Sequence, residues 1–405
     1  MRTNGFALFR GEDAPALARD AARRVSRYSR ELLVSTGGGF RELEGARLSG
    51  KKEVAIAFSL ERGGFPLVHG YLRDAAVPEG EFSLLGEGAG GFYGARDPLG
   101  TRGLWVVKSG RGAGSIASDY RLLRGGAVLQ PPGTVYSSGR TTKVARIERE
   151  RGKSALSFKG AAGELASLIE ESVSSRVHGR GRVAVSFSGG LDSSILAMVA
   201  AKHADVVLCS AYASGSRDEG QSGRAADLLG LRLETALLDE KTLAKMSGEA
   251  DLPPGEATVM DKALWCIYST TSELAKRSEA RTILLGQLAD ELFGGYMKYA
   301  VKAREEGAAA AERMMAGDVR ACADRGFLRD EAACSASCEV RFPYADGRIA
   351  SFAAGLPLDY KIRDGERKAV LRAAALELGL PEELASAPKK AAQFSSGASK
   401  LLKRQ

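Results

Sequence analysis

The amino-acid sequence predicts an α/β fold with a parallel sheet for the C-terminal part of the chain and an α+β fold for the N-terminal part. After residue 160, apolar strand-like runs alternate with segments of helical period, which is typical of a parallel sheet with helices on both faces. Residues 1–150 instead contain short apolar runs separated by glycine-rich turns, which favours mostly antiparallel strands. The 405 residues are enough for two domains, which we place at 1–150 and 160–405.

Within the N-terminal part, the pattern of arginine and apolar residues predicts a helix over 14–33. Short apolar runs predict strands over 54–60, 103–108 and 134–136. The segment 136–159 is polar and charged with few large apolar side chains, and we interpret it as the connection between the two domains.

The C-terminal part is predicted to alternate between helices and buried strands, and the first helix is amphipathic. The predicted helices cover 161–177, 191–200, 218–229 and 262–276, and the predicted strands cover 183–185, 206–211 and 282–285.

Composition restricts the class of protein. Hydrophobic residues make up 44% and charged residues 27% of the chain, as in ordinary globular proteins. No apolar run is long enough to span a membrane, and the first residues do not resemble a secretory signal, so we expect a cytoplasmic protein without a membrane partner. The net charge of +8 is spread along the chain and lacks an aromatic-interleaved basic motif, so nucleic acid is not indicated as a partner.

The five cysteines are an odd number, which argues against a disulfide framework. Cys322, Cys334 and Cys338 could form a three-thiolate metal site, but the chain has no CxxC pair and only three histidines. We therefore expect buried, apolar cysteines.

The stretch 183–194, VAVSFSGGLDSS, predicts a buried strand, a tight turn and a helix N-terminus. Gly189 and Gly190 allow backbone N–H groups to approach an anion, and the serine hydroxyls add hydrogen-bond donors. The helix dipole adds partial positive charge at the same point. The turn therefore predicts a phosphate site, although a tight turn without a ligand remains an alternative. It lacks the Gly-Lys-Ser/Thr sequence of a Walker loop.

A second acidic turn follows the strand predicted over 282–285 and reads GQLADELFGGY over 286–296. Asp290 and Glu291 could simply open a helix, because acidic residues favour that position. Alternatively, Asp290 and Asp192 could together hold Mg²⁺ against a triphosphate, since two carboxylates and phosphate oxygens suit this ion.

The string SGGLDSS resembles the pyrophosphate-binding loop of the ATP pyrophosphatase superfamily, which cleaves ATP between its α- and β-phosphates. Together with four later strings, it resembles the synthetase domain of the asparagine synthetase family, including its β-lactam synthetase relatives. The resemblance implies a parallel-sheet domain of the adenine nucleotide α-hydrolase-like type, with ATP and Mg²⁺ as ligands. The later strings are 286–296, SCEVRFPYAD over 337–346, KAVLR over 368–372, and LP over 380–381 with PKK over 388–390.

The resemblance also implies roles for individual residues. Asp192 and Asp290 match the magnesium aspartates, and Lys389 matches a lysine that stabilises the adenylation transition state and the leaving pyrophosphate. Gln287 stands where the family usually has a glutamate near the substrate amine; it cannot take up a proton, but it could orient a substrate by hydrogen bonds. The remaining implied nucleotide-binding residues are Phe187 and Leu208 near adenine, Ser188, Gly189, Gly190, Asp192 and Ser193 at the phosphates, and Gly286.

The string GARDPLGTRGL over 94–104, followed by SIASDYRLL over 115–123, resembles class II glutamine amidotransferase domains of the Ntn type. That family uses an N-terminal cysteine, whereas this chain starts with Met1 and has its first cysteine at Cys209. The resemblance therefore implies a degenerate amidotransferase-like domain without glutaminase activity.

From these features we expect an AMP-forming amide ligase that adenylates a small-molecule carboxylate, aspartate above all, for attack by ammonia or another amine. One alternative is an ATP pyrophosphatase-type enzyme that acts on another carboxylate, a tRNA base or a metabolite. The other alternative is a non-catalytic relative. A homodimer is a candidate assembly.

Overall fold

The computed structural model of the protein describes residues 2–10, 33–36, 41–43, 46–48, 54–60, 67–74, 79–88, 91–108, 114–123, 125–148, 155–387 and 396–402. The chain divides into two compact units, Met1–Arg146 and Ile147–Gln405. The division lies inside the polar segment 136–159, but the first part of that segment belongs to a β-hairpin of the N-terminal unit. Among the described residues, no helix is both long and apolar enough to cross a membrane.

The N-terminal unit is built on one predominantly antiparallel sheet, as its sequence predicts. Eleven of the described strands form this sheet, in which only the pairing of β1 with β6 is parallel, and β3 and β4 form a separate hairpin. The strands are β1 Arg2–Arg10, β2 Leu33–Thr36, β3 Arg41–Leu43, β4 Ala46–Leu48, β5 Val54–Leu60, β6 Leu67–Asp74, β7 Glu79–Gly88, β8 Gly91–Arg96, β9 Trp105–Lys108, β10 Gly114–Ala117, β11 Val128–Leu129, β12 Thr134–Ser137 and β13 Arg140–Lys143.

The strands predicted over 54–60, 103–108 and 134–136 are confirmed as β5, β9 and β12. The helix predicted over 14–33 lies outside the described residues, except that Leu33 begins β2.

The turn that contains the string DPLG is held by two buried side chains. Arg96 donates hydrogen bonds to the backbone oxygens of Gly100, Arg102 and Gln130 at 2.7–2.8 Å. The Asp97 carboxylate accepts hydrogen bonds from the backbone N–H groups of Leu99 and Thr101 at 2.9 Å. These contacts tie the turn to its own sheet, so the local geometry gives the string a structural role.

The C-terminal unit contains the predicted parallel sheet. Five strands lie in the order β16-β15-β14-β17-β18 and all adjacent pairs are parallel. They are β14 Arg182–Ser186, β15 Asp205–Tyr212, β16 Arg232–Leu237, β17 Thr282–Leu284 and β18 Glu339–Arg341. The first strand of this unit, β14, is thus central, and the order reverses between β14 and β17. In sheets of this type, ligands bind beyond the carboxyl ends of the strands at the reversal.

Helices connect these strands, and the four predicted helices are confirmed as α1, α2, α3 and α5. The described helices are α1 Phe158–Val177, α2 Leu191–Ala201, α3 Arg217–Leu229, α4 Glu240–Gly248, α5 Val259–Arg277, α6 Ala289–Phe293, α7 Met297–Glu306, α8 Ala308–Ala321, α9 Phe327–Cys334, α10 Gly347–Gly355, α11 Leu358–Lys361, α12 Ala369–Glu377, α13 Glu382–Ala385 and α14 Ala398–Leu402. A π-helical turn, Cys322–Gly326, joins α8 to α9, a 3₁₀ turn, Pro343–Ala345, follows β18, and the short strands β19 Ile362–Arg363 and β20 Glu366–Arg367 form a hairpin.

The sheet of this unit is apolar because its central strands are covered on both faces. Val183, Ala184 and Val185 of β14 are completely buried, as are Ile283 and Leu284 of β17. The rigid centre of the unit therefore carries the two turns that the sequence singles out.

Candidate active site

A cavity of about 700 Å³ opens beyond the carboxyl ends of β14 and β17, within the C-terminal unit. A volume of this size accommodates a small-molecule ligand. The residues that line it and that bear on its chemistry are Phe187, Ser188, Gly190, Asp192, Ser193, Ala211, Asp261, Gly286, Gln287, Asp290, Glu291, Cys322, Arg325, Gly326, Arg329, Lys368 and Arg372.

The turn after β14 is fixed before any ligand binds. Gly189 has a φ of +69°, and a Cβ at this position would lie 2.7 Å from the backbone oxygen of Gln221 in α3. The Gln221 side chain donates to the backbone oxygen of Gly189 at 2.8 Å. The Ser193 hydroxyl donates to the backbone oxygen of Gly190 at 3.2 Å. No side chain caps α2 at Gly190, and a helix N-terminus of this kind favours an anion.

A buried lysine joins the two aspartates that follow the strands. Lys368 Nζ lies 2.5 Å from Oδ1 and 2.7 Å from Oδ2 of Asp192, and 2.6 Å from Oδ1 of Asp290. The lysine side chain is completely buried, whereas the two aspartate side chains are 14% and 13% exposed. The site therefore holds one cation between two carboxylates, at the edge of the turn that follows β14.

Two glycines make this cluster possible. A Cβ at Gly295 would lie 1.8 Å from Asp290 Oδ1 and 2.5 Å from Lys368 Cε, so any larger residue would displace both groups. A Cβ at Gly286 would lie 3.2 Å from Asp192 Cβ. The glycines of the 286–296 string thus allow the acidic turn to approach its partners closely.

The backbone is strained at two positions of the site. Lys368 and Leu288, neither of them glycine, have φ values of +61° and +80°. Such conformations cost about 1–3 kcal/mol each and persist where the surrounding structure holds them in place. Lys368 is therefore held in place by its surroundings. The sequence analysis assigns no role to this lysine, although Lys368 is the first residue of the string KAVLR.

The string SCEVRFPYAD contacts the backbone that carries Asp192 and also contacts α1. The Tyr344 hydroxyl donates to the backbone oxygen of Asp192 at 3.1 Å. Asp346 forms a buried ion pair with Arg176 of α1 at 3.2 Å. Burial alone would raise the pKa of Asp346, but Arg176 and Arg348 together hold this pKa below its usual value. The string therefore anchors the start of α2, and its tyrosine fixes the backbone that carries Asp192.

Glu291 is a second acidic residue next to Asp290. Burial, and then the negative charge of Asp290, raise the pKa of Glu291 above its usual value. The Tyr296 hydroxyl donates to Glu291 Oε1 at 2.7 Å. Glu291 is 6% exposed and lines the cavity, so its protonation state affects the electrostatics of the cavity.

Gln287 packs against the π-helical turn. Its Nε2 donates to Cys322 Sγ at 3.5 Å, and a Cβ at Gly326 would lie 3.2 Å from that same nitrogen. Burial, and then the charge of Glu291, raise the pKa of the Cys322 thiol well above its usual value, so the sulfur stays protonated. The amide of Gln287 therefore lies against the cavity wall formed by residues 322–326.

The cavity brings together most of the residues that the sequence nominates. Phe187, Ser188, Gly190, Asp192, Ser193, Gly286, Gln287 and Asp290 all line it. Gly189 does not line the cavity, but it shapes the turn. Leu208 does not line it either: it lies inside β15, paired with Val185 and Leu233, and is completely buried. Ala211, nearer the end of the same strand, lies at the cavity instead.

Lys389 lies outside the described residues. The described residues on either side of that segment, Ala387 and Ser396, both line the cavity. The residues that the sequence did not nominate are Lys368 and the charged group formed by Asp261, Arg325 and Arg329.

The expectation of buried cysteines is met by all five, which are free thiols. Cys334 and Cys338 direct their sulfur atoms at backbone oxygens of α5 and its neighbourhood. Among the described residues, no group of three or more histidine, cysteine, aspartate or glutamate side chains could hold a metal ion.

Asp192 and Asp290 fit Mg²⁺ as a pair, because this ion is usually held by one or two carboxylates and by substrate phosphates. Both carboxylates already contact a single cationic group, the Lys368 ammonium. The two aspartates therefore suit Mg²⁺ when a phosphate ligand supplies further oxygen atoms. Two carboxylates are too few to complete the coordination of the ion by themselves.

Comparison with protein families gives one match: a family model described as asparagine synthase matches residues 164–325 and 302–405. These ranges include every site residue described above.

Curated relatives also match part of the chain. A protein of Methanocaldococcus jannaschii that carries the name of a glutamine-hydrolyzing asparagine synthetase is 27% identical over 279 residues, which cover 61% of this chain and 51% of the relative. The mouse asparagine synthetase domain-containing protein 1 is 35% identical over 163 residues, which cover 36% of this chain and 26% of the relative. The chain thus spans about half the length of the first relative and a quarter of the second.

Solved structures with partial similarity include an NMN synthetase from Francisella tularensis, with a TM-score of 0.34 and 11% identity over 60% of this chain and 79% of that chain. An NH₃-dependent NAD synthetase from Campylobacter jejuni has a TM-score of 0.30 and 12% identity over 57% of this chain and 77% of that chain. Both TM-scores are too low to inform on function.

Proposed function

The chain belongs to the asparagine synthase family, and from this premise we propose that it is an ATP-dependent, AMP-forming amide ligase. In this proposal a small-molecule carboxylate attacks the α-phosphate of ATP, pyrophosphate leaves, and ammonia then displaces AMP from the acyl-adenylate to give an amide. Aspartate is the first candidate for the carboxylate.

The observation that carries the proposal is the cluster of Asp192, Asp290 and Lys368 at the mouth of the phosphate turn. The buried ammonium lies 2.5–2.7 Å from oxygen atoms of both carboxylates, in a cavity at the reversal point of a parallel sheet. A non-catalytic relative has no need for a buried lysine with a strained backbone at this position, because such an arrangement costs stability.

Each part of the site has a role in this reaction. The backbone N–H groups of residues 188–190 and the Ser193 hydroxyl would bind the phosphates, and Phe187 would lie against adenine. Mg²⁺ held by Asp192 and Asp290 would neutralise charge on the phosphates. Lys368, and Lys389 from beyond the described residues, would stabilise the charge that develops on the leaving pyrophosphate.

We also propose that the nitrogen enters as free ammonia. The chain has no cysteine before Cys209, and the DPLG turn of the amidotransferase-like unit is held by structural hydrogen bonds. Gln287 would orient the acceptor or the amine by hydrogen bonds but cannot act as a base.

Gln287, at the position where the family usually has a glutamate, supports a second candidate function. This candidate is an ATP pyrophosphatase-type enzyme with a different acceptor. Because the glutamine leaves the amine without a nearby carboxylate base at this position, the acceptor and the nucleophile are the least constrained parts of the proposal.

The proposal is tested by incubating the full chain with ATP, Mg²⁺, ammonium and a panel of carboxylates that includes aspartate. AMP, pyrophosphate and the amide are measured together. We expect equal amounts of the three with the correct acceptor, and no activity when glutamine replaces ammonium.

Two variants serve as controls for this assay. Asp192→Asn should reduce AMP formation by about 100-fold or more, because the metal and the lysine lose a shared partner. Asp239→Asn, which alters the exposed cap of α4, should leave the rate unchanged. ADP as the product, or efficient use of glutamine, would contradict the proposal.

A further inference from the structure

One arginine binds the backbone on both sides of Lys368. Arg372 lies in α12 and lines the cavity, and its side chain is 11% exposed. Its Nε donates to the backbone oxygen of Arg367 at 3.0 Å. Its own backbone N–H donates to the backbone oxygen of Lys368 at 2.9 Å, which is the first hydrogen bond of α12. The proposed adenylation chemistry gives no role to Arg372.

These two hydrogen bonds fix the strained conformation of Lys368. The backbone oxygen of Arg367 belongs to the peptide group before the lysine, and the oxygen of Lys368 belongs to the peptide group after it. The orientations of these two planar groups define φ and ψ of a residue. Lys368 has a φ of +61°, a conformation that a residue with a side chain keeps only where its surroundings impose it. Arg372 imposes it, because it binds both peptide groups.

The guanidinium group of Arg372 is anchored at further points. Its Nη1 donates to the backbone oxygen of Ala385, and its Nη2 donates to that of Ala387 at 3.1 Å. Glu366 of β20 lies 3.6 Å from Nε. A planar guanidinium presents its N–H groups in fixed directions, so it can hold three oxygen atoms at once. The side chain is therefore a rigid link between the end of α13 and the peptide group that precedes Lys368.

The same peptide group is connected to the acidic turn. Arg367 Nη1 donates to the backbone oxygen of Gly295 at 2.8 Å. The backbone N–H of Gly295 in turn donates to the backbone oxygen of Asp290 at 2.8 Å. The backbone that Arg372 binds thus keeps a fixed distance from one of the two aspartates that Lys368 contacts.

The ammonium group of Lys368 needs such a support. It is completely buried and lies 2.5–2.7 Å from oxygen atoms of Asp192 and Asp290. A lysine side chain has many rotamers, so the chain of methylene groups does not by itself select this position. A buried charge that leaves its partners is costly, and the direction of the side chain from the backbone therefore matters.

We propose that Arg372 is a positioning residue, which sets the backbone of Lys368 so that the ammonium group lies between Asp192 and Asp290. Arg372 acts through the lysine. The positioning is a property of the chain without ligands. Its consequence for the reaction, that Arg372 determines where positive charge meets the leaving pyrophosphate, rests on the proposed function.

The first test measures the accessibility of single lysines in the full-length protein without nucleotide. N-hydroxysuccinimidyl acetate modifies accessible amines, and peptide mass spectrometry gives the rate of modification at each lysine. Lys368 should be protected in the wild type, and Arg372→Met should raise its rate by about 10-fold or more, because the lysine then leaves its buried position locally. Lys361 of α11 is 5% exposed and reports global opening, so its rate should stay unchanged.

Two further variants complete this test. Arg372→Lys keeps the charge but lacks the planar fork, and its rate at Lys368 should lie between those of the wild type and Arg372→Met. Arg180→Met removes a partly buried ion pair with Glu339 outside the cavity and should leave Lys368 protected. An Arg372→Met variant in which Lys368 stays protected, or in which the rates at Lys361 and Lys368 rise together, would overturn the inference.

The second test separates positioning from general damage to the site. Calorimetry in the presence of Mg²⁺ compares the binding of pyrophosphate with that of AMP. Arg372→Met should weaken pyrophosphate binding by about 10-fold or more and leave AMP binding unchanged, because only pyrophosphate meets the Lys368 ammonium. In a Lys368→Met background, Arg372→Met should weaken pyrophosphate binding no further, since its effect passes through the lysine. Equal losses for both ligands, or fully additive effects of the two substitutions, would contradict the positioning role.

The positioning role and the proposed function can fail independently. If no carboxylate supports AMP formation but Arg372→Met selectively exposes Lys368, the ligase proposal fails and the positioning role stands. If AMP is formed and Lys368 stays protected in Arg372→Met, only the positioning role fails.

Discussion

At the scale of single residues, Lys368 determines the electrostatics of the site. It is completely buried and neutralises one of two carboxylates that would otherwise face each other. Removing one partner from a buried ion pair typically costs about 3–5 kcal/mol, because the remaining charges lose their compensation. The lysine is therefore expected to support both folding and nucleotide binding.

We expect Lys368→Met to lower the free energy of unfolding by about 3–5 kcal/mol and to make the variant more responsive to Mg²⁺ than the wild type. The physical reason is that a metal ion can replace the missing cation between Asp192 and Asp290. Urea denaturation with and without Mg²⁺ measures both effects. Lys302→Met, which removes only a surface pair with Glu306, should cost less than about 1 kcal/mol.

A Lys368→Met variant as stable as the wild type would show that the buried pair is not maintained in solution. A variant that is destabilised but does not respond to Mg²⁺ would argue against a metal site at the two aspartates.

Gly295 tests the close packing of the same cluster. Because an added Cβ would lie 1.8 Å from Asp290 Oδ1, Gly295→Ala should force the aspartate and Lys368 apart. We expect a loss of about 1–3 kcal/mol of stability and weaker binding of ATP with Mg²⁺. Thermal unfolding and nucleotide titration check this. The matched control is Gly317→Ala in α8, where no atom lies within 4 Å and alanine should stabilise the helix by up to about 1 kcal/mol.

At the scale of secondary-structure elements, the contact between α5 and α9 depends on a buried charge network. Arg329 of α9 joins Asp261 of α5 to Asp330, whose side chain is completely buried. Burial raises the pKa of Asp330 to about 6, although Arg329 opposes the shift. The network is therefore sensitive to pH in the range where this carboxyl titrates.

A folded-state pKa above the unfolded value means that the folded protein binds the proton more tightly. The contribution of Asp330 to stability is then fully present below about pH 4 and is lost as the pH rises through about 6. We expect the stability of the wild type relative to Asp330→Asn to fall by on the order of 3 kcal/mol between pH 4 and pH 7. Chemical denaturation at several pH values measures this difference.

Asp346→Asn provides a control of opposite sign. Because Arg176 and Arg348 lower the pKa of Asp346, its contribution is present at neutral pH and is lost as the pH falls below the usual aspartate value. A difference between wild type and Asp330→Asn that does not change with pH would contradict the account of the α5–α9 network.

The elements themselves follow largely from local sequence. The spacing of apolar residues predicts α1, α2, α3 and α5, and it also predicts the strands β14 and β17. It does so because the buried face of each element sets the spacing and the extent of its apolar residues. The π-helical turn 322–326 is not predictable in this way, since its residues have the composition of an ordinary helix. Its position is set by the contacts of Cys322, Gly326 and Arg325 with distant residues.

At the scale of the whole molecule, the sequence establishes more about chemistry than about substrate. The parallel sheet, its reversal point and the two acidic turns follow from the order of apolar strands and glycine-rich turns. Lys368 could not be paired with Asp192 from the sequence, because 176 residues separate them and only the folded chain brings them together. The same holds for Arg325 and Asp261, which are 64 residues apart.

Leu208 illustrates the limit of transferring roles along a strand. A position near the strand end was expected to lie beside the nucleotide, but the strand extends to Tyr212 and the cavity begins at Ala211. The predicted strand, 206–211, agrees with the observed one, but a shift of three residues along it, from Ala211 to Leu208, is enough to move a side chain from the cavity to the core.

We propose that ATP is cleaved between its α- and β-phosphates at the Asp192–Asp290 pair. Acceptor-dependent exchange of labelled pyrophosphate into ATP, with Mg²⁺ and without ammonium, tests it most directly. We expect exchange with the wild type, and a rate lower by about 100-fold or more in Asp192→Asn and in Asp290→Asn. Exchange that is unchanged in both variants, or release of ADP and phosphate in place of AMP and pyrophosphate, would contradict it.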